Sequence, residues 1–163
     1  MQHIQGSLSP GLPYKFKVRA KNIYGVGAFS LEVAFTPVNE PATMEAVSTT
    51  LSYPNIELSF TEPDNSGLPV LDFQIVFYDK SQNGYREVSS LCNGQDPSVI
   101  SANPMKCIFT VADTITLLGL ARGELVKAKA RARNSEGYGQ FSSPNSSGAK
   151  IETEPVLMND PVV

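Results

Sequence analysis

Residues 123–142 read GELVKAKARARNSEGYGQFS, and residues 11–30, 112 positions earlier, read GLPYKFKVRAKNIYGVGAFS. Ten of the twenty positions agree: Gly11, Lys15, Lys17, Arg19, Ala20, Asn22, Gly25, Gly27, Phe29 and Ser30 all have identical copies. Repetition at a fixed offset is read first, because it decides how many structural units a chain holds. Up to the Asn, apolar and charged residues alternate, the period-two pattern of a strand with one buried and one wet face. In the first copy Tyr14, Phe16, Val18 and Ala20 take one face, and Lys15, Lys17, Arg19 and Lys21 the other. In the second, Val126, Ala128, Ala130 and Ala132 stand opposite Lys127, Lys129, Arg131 and Arg133. The Asn-x-x-Gly-x-Gly that follows is turn chemistry, since Asn and Gly accept positive φ at little steric cost. Each copy therefore predicts a β-hairpin.

Between the copies, short β-rich runs alternate with turn clusters, which predicts an all-β sandwich that needs no helix. Residues 42–48 form an expected first strand, and residues 55–61 a second with Ile56, Leu58 and Phe60 on one face. The Pro, Asp, Asn and Gly of residues 62–69 break regular structure. Residues 70–79 read as a third strand, with Leu71, Phe73, Ile75 and Phe77 inward and Asp72, Gln74, Val76 and Tyr78 outward. Residues 84–90 and 107–111 supply two more.

These runs resemble the fibronectin type III family over nearly the whole chain. Phe60, Pro63, Asp64, Gly67, Pro69, Val70 and Phe73 look like the family's passage from second strand to third. Leu120, Gly123, Ala132, Asn134, Gly137, Gly139 and Ser142 look like its sixth and seventh strands. Leu8, Pro10, Gly11 and Tyr14 are similar to its tyrosine corner, in which a strand Tyr ties its hydroxyl back to nearby backbone. Phe60 stands where the family usually has a core Trp, and Val126 where the second copy would carry the corner Tyr. The resemblance implies an immunoglobulin-like, seven-stranded Greek-key sandwich over residues 41–154. Residues 1–37 would be the last hairpin of an incomplete preceding copy, and residues 155–163 a linker or the start of a further module. It further implies a non-catalytic spacer and protein or glycan interaction module, in a tandem array like those of large secreted or surface proteins of single-celled eukaryotes.

The 163 residues are 41% hydrophobic and 18% charged, a globular composition, with one full core and a fraction of another. A net charge of −3 argues against nucleic-acid binding, which rests on surplus Lys and Arg. No apolar run reaches the roughly 20 residues that cross a bilayer. Residues 1–11 lack the charged and apolar regions of a secretory signal, which leaves a cytosolic chain or a missing true start.

Cys92 and Cys107 are the only cysteines, too few for a disulfide framework or a four-ligand zinc site. The turn formers between them let the thiols meet, so they read as a disulfide or as two buried free thiols. A disulfide would place the chain outside the cell or on its surface. Reduced cysteines would suit an intracellular filament-associated scaffold, and an accessory module of a carbohydrate-active enzyme is a third expectation.

No residue pattern implies a catalytic group, a cofactor or a metal; His3, the single histidine, has no partner for such chemistry. The strongest candidate surface is basic: Lys15, Lys17, Arg19, Lys21, Lys127, Lys129, Arg131 and Arg133 hold eight of the 13 Lys and Arg. Its spacing suits an anionic glycan or an acidic protein, or simply a solvated face paired to Asp72. Glu136 and Tyr138 are candidate contacts on the loop after the sixth strand. Asn145-Ser146-Ser147 is a sequon, compatible with glycosylation only in a secreted chain. Arg122-Gly123-Glu124 reads as a turn.

Overall fold

The computed structural model describes residues 7–152. His3 and the expected further module at 155–163 lie outside them. Four short strands belong to the first repeat: β1 (Tyr14–Phe16), β2 (Lys21–Asn22), β3 (Gly25–Val26) and β4 (Val33–Phe35). β1 pairs antiparallel with β4, and β2 with β3, so this part is one long hairpin.

The rest builds two three-stranded sheets. β5 (Ser48–Ser52), β6 (Asn55–Phe60) and β9 (Met105–Thr110) form one, in the order β5-β6-β9. β7 (Asp72–Asp79), β8 (Gly84–Glu87) and β10 (Ala128–Arg133) form the other, in the order β10-β7-β8. Ile56, Leu58 and Phe60 of β6 face Phe73, Ile75 and Phe77 of β7 in one buried core. The sheets are joined edge-to-face by Phe60 on Phe73, with ring centroids 5.1 Å apart, and by Phe77 on Phe109 at 5.5 Å. Such offset aromatic pairs add about 0.5–1.5 kcal/mol beyond the area they bury. Ala128, Ala130 and Ala132 of β10 are fully buried opposite Phe77, Ile75 and Phe73 of β7, and larger side chains there would strain a filled layer.

The seventh strand is irregular. It follows β10 through the Gly139 N–H to Ala132 carbonyl bond at 2.9 Å and the Ser142 N–H to Ala130 carbonyl bond at 2.8 Å. After Pro144 it bonds both sheets: Ala149 N–H donates to the Thr49 carbonyl at 3.0 Å, and the Ala149 carbonyl accepts the Val126 N–H at 2.9 Å. The architecture is the expected immunoglobulin-like sandwich.

Several details correct the sequence reading. Residues 42–47 form no strand, and pairing begins at Ser48. The described residues include two helices, α1 (Pro97–Ile100) and α2 (Val111–Leu118). α2 opens on a capping box in which the Thr110 hydroxyl accepts the Asp113 N–H and Asp113 accepts the Thr110 N–H. It closes on Gly119 in the left-handed region. Leu71, just ahead of β7, is exposed, whereas Asp72 and Val76 within it are buried. A central strand has both faces covered, and Asp72 lies beneath the guanidinium of Arg133.

Candidate interaction surfaces

The two repeats have the same bonded geometry as well as the same sequence. Asn22 Oδ1 accepts the N–H groups of Tyr24 and Gly25 at 2.9 and 3.1 Å; Asn134 Oδ1 accepts those of Glu136 and Gly137 at 2.9 and 3.2 Å. The Ser30 hydroxyl accepts Val18 N–H, and the Ser142 hydroxyl accepts Ala130 N–H, both at 3.1 Å. Gly27 N–H reaches Ala20 and Gly139 N–H reaches Ala132, both at 2.9 Å. Arg19 sits 4.6 Å above the ring of Phe29, and Arg131 4.4 Å above that of Phe141.

The surroundings of the two hairpins differ. β10 pairs with β7 along its whole length, Ala128 opposite Phe77 through Arg133 opposite Asp72. β1 pairs with β4 alone, and Val18 is 72% and Leu31 89% exposed. Tyr14 forms the corner that the resemblance implies: its hydroxyl accepts the Ser9 N–H at 2.8 Å. In the second repeat Val126 fills that position with an apolar side chain, fully buried.

The basic stripes divide into engaged and available cations. Lys129 lies over Tyr85 at 4.2 Å, Arg131 over Tyr138 at 4.4 Å, and Arg133 over Tyr138 at 5.6 Å. Arg131 Nε donates to Gln74 at 2.8 Å, and Arg133 pairs with Asp72 through both Nε and Nη2. Stacked cations of this kind are held at about 0.5–1 kcal/mol each at exposed sites. Lys15 and Lys17 meet Glu32 at 2.9 and 3.6 Å as exposed ion pairs, which are worth about 0–1 kcal/mol. Lys21 and Lys127 are exposed. In sequence Tyr138 reads as a loop contact and nothing marks Tyr85 or Phe141 as stacking partners, because cation stacking depends on which strands become neighbours.

Tyr138 is half-buried beneath two guanidinium groups and is not a loop tip, while Glu136 is exposed. Asn145 corrects the glycosylation expectation. It is buried, its Nδ2 donating to Val126 and Ser147 carbonyls at 3.0 Å each, so a sugar on that nitrogen would displace bonds the fold uses. Cys92 and Cys107 are joined, with Cα atoms 5.4 Å apart, and close the loop that contains α1. Glu124 accepts the Ala121 N–H at 2.6 Å and pairs with Lys80, so Arg122-Gly123-Glu124 is a closed turn. Among the described residues no group of three or more His, Cys, Asp or Glu side chains converges, and no helix is long and apolar enough to cross a membrane.

Paired sheets, aromatic bridges and the corner at Tyr14 now stand together. The fold is that of a fibronectin type III sandwich. No family model matches the chain. Human ephrin type-B receptor 4 is 27% identical over 153 residues, covering 89% of this chain and 14% of the receptor. Among solved structures, the chicken CNTN1 FN1-FN3 domains are 17% identical with a TM-score of 0.47, over 85% of this chain and 43% of that one. A titin fragment is 18% identical with a TM-score of 0.45, over 80% of this chain and 38% of that one. The chain thus spans less than half the length of each of these three.

Proposed function

We propose that this chain is a non-catalytic spacing and contact segment of a longer protein built from successive sandwiches. Residues 41–154 are one complete unit, residues 1–37 the closing hairpin of the unit before it, and residues 155–163 the start of another. The observation that carries this reading is the bond-for-bond equivalence of the two hairpins, one seated on a sheet and one without its sheet. A unit whose ends meet its neighbours' ends holds binding surfaces at set distances, and each surface gains from the others through effective concentration.

The parent protein is extracellular or on the cell surface, in the manner of secreted arrays of single-celled eukaryotes, and works in adhesion. The Cys92–Cys107 bridge supports this, since persistent disulfides belong to oxidising compartments. The test is alkylation of intact cells before lysis, followed by mass spectrometry of the chain. Recovery of Cys92 and Cys107 as one linked peptide is expected. Recovery of both as alkylated thiols would replace this reading with the intracellular scaffold.

A second reading, contact with an anionic glycan, rests on the four stripe residues that stacking does not use: Lys15, Lys17, Lys21 and Lys127. Replacing all four by Gln should bring the chain off immobilised heparin at lower salt, because each phosphate- or sulfate-type contact adds to the salt dependence. An unchanged elution position would remove the basic stripes as a binding surface.

A further inference from the structure

The second repeat shows what its Asn-x-x-Gly-x-Gly turn is for. The linker ahead of the complete sandwich, Asn39-Glu40-Pro41, lies across it. Asn134 Nδ2 donates to the Asn39 carbonyl at 2.7 Å and to the Asn65 carbonyl at 3.3 Å. The Glu40 side chain passes over Gly137, where an added Cβ would come within 3.0 Å of its Oε1. The Pro41 carbonyl packs so closely on Gly139 that a Cβ there would overlap it. Gly139 has no positive φ to explain it; it is glycine because the linker backbone needs the space.

The first repeat has the same turn with the same residues. Gly27, the copy of Gly139, also lacks a positive φ, and a Cβ on it would meet only the Ala20 carbonyl, at an ordinary 3.6 Å. Gly25, the copy of Gly137, would meet nothing within 4 Å. Asn22 holds the turn through Oδ1, as Asn134 does, and is exposed. Together with Ala20, Lys21, Tyr24 and Val26, these residues border a concavity of about 370 Å³.

We infer that the surface formed by Asn22, Gly25 and Gly27 is a peptide seat. Its occupant is an extended segment carrying a Glu-Pro pair, the linker that precedes the first hairpin's own sandwich in the same polypeptide. The Asn22 amide holds the carbonyl before the Glu, Gly25 lies under the Glu side chain, and Gly27 admits the Pro carbonyl. The Glu-Pro pair stands at Glu40-Pro41 and again 114 positions on at Glu154-Pro155, a spacing close to the 112-residue repeat; a third pair, Glu62-Pro63, lies in the turn after β6 and outside that spacing. The inference goes beyond the array reading, because it assigns a ligand chemistry to a named turn, and it can fail while the array stands.

The probe is a synthetic peptide of residues 36–43, TPVNEPAT, titrated to millimolar concentration into the isotopically labelled full chain. In a second format it is tethered ahead of Met1 by a flexible Gly-Ser linker, which raises its local concentration to about millimolar. Amide shifts confined to residues 20–27 are expected in both formats, with no shifts for a scrambled peptide. N22D keeps the Oδ1 that organises the turn and loses the donor, so it should abolish the shifts while the Ala20–Gly27 nuclear Overhauser contact persists. Three results would overturn the inference: no shifts in either format, shifts spread over the apolar face of β1 and β4, or an N22D variant that responds like wild type. Shifts at residues 20–27 that grow with protein concentration alone would place a second copy's tail in the seat and overturn the assignment to the same polypeptide.

Discussion

Asn145 clamps the backbone of Ala128: its Oδ1 accepts the Ala128 N–H at 2.8 Å, while its Nδ2 donates to the Val126 carbonyl at 3.0 Å. Pro144 has no N–H to offer β10's flank, and the amide side chain next to it takes over the pairing that a regular strand would supply. Asn145→Ala would leave buried donors and acceptors unpaired, at a cost of about 1–3 kcal/mol. Urea titration should show the midpoint falling with an unchanged slope. A variant as stable as wild type would mean that the clamp is replaceable by water.

The Cys92–Cys107 bridge closes a loop of 15 residues in sequence, which the chain-entropy model values at about 3 kcal/mol. Both cysteines belong to the main core, so the double Cys→Ser variant also places two hydroxyls in apolar surroundings. The double Cys→Ala variant isolates the bridge. It should fold, keep its β-sheet circular dichroism, and unfold at lower denaturant by about the stated amount. A double Ala variant that fails to fold would show that the bridge decides folding as well as stability.

Asp79 has no exposed surface, and the Ser81 hydroxyl followed by the Arg86 guanidinium holds its carboxyl down to about 2 from an ordinary 3.8. A carboxyl depressed in the folded state adds stability that is fully present above its unfolded value and is lost as pH falls through its folded value. Asp96, Asp113 and Glu124 are lowered too, by hydrogen bonds from Ser98, from Thr110 and from the Ala121 N–H respectively, so they act with the same sign. Stability should therefore fall between about pH 4 and pH 2. Asp79→Asn should make that fall shallower without removing it, as measured by denaturant midpoints across the range. An unchanged pH profile would show that Asp79 titrates alike folded and unfolded.

Phe77 meets Phe109 edge-on across the two sheets and is fully buried. Phe77→Ala should cost about 3–5 kcal/mol, since the cavity at the sandwich centre has rigid walls. Chemical denaturation checks it; a loss under about 1 kcal/mol would mean that the sheets collapse onto the space.

Strand identity was legible where alternation met a partner strand, as in residues 128–133, whereas residues 17–20 alternate in the same way and lie in no strand, between β1 and β2; the turn at Asn134 was readable from residue type alone. The tyrosine corner was legible from Tyr14 with Leu8, Pro10 and Gly11. The helix α2 was missed, although Thr110, Asp113 and Gly119 carry its start and stop signals, because Cys107, Phe109 and Val111 alternate as a strand does up to the cap. Asn145 was misread, since three residues of a sequon contain nothing about burial, which depends on Val126 and Thr49 arriving from distant parts of the chain. Asp72 reads as a surface carboxylate until β10 brings Arg133 over it. The stacking of Lys129, Arg131 and Arg133 was hidden for the same reason: alternation says which side a cation takes, but not which rings wait there.

Gly27 and Gly139 make the same hydrogen bond at the same 2.9 Å, one in a hairpin without its sheet and one in a hairpin seated on β7. Native-state hydrogen exchange of these two amides in the full chain distinguishes a seated hairpin from an unseated one, because local opening and global unfolding separate in that measurement. Gly139 should be protected to near the global unfolding free energy, and Gly27 should exchange through a much cheaper local opening. Equal protection of the two amides in the monomeric chain would contradict the account, since the first hairpin would then be complete without a preceding sandwich.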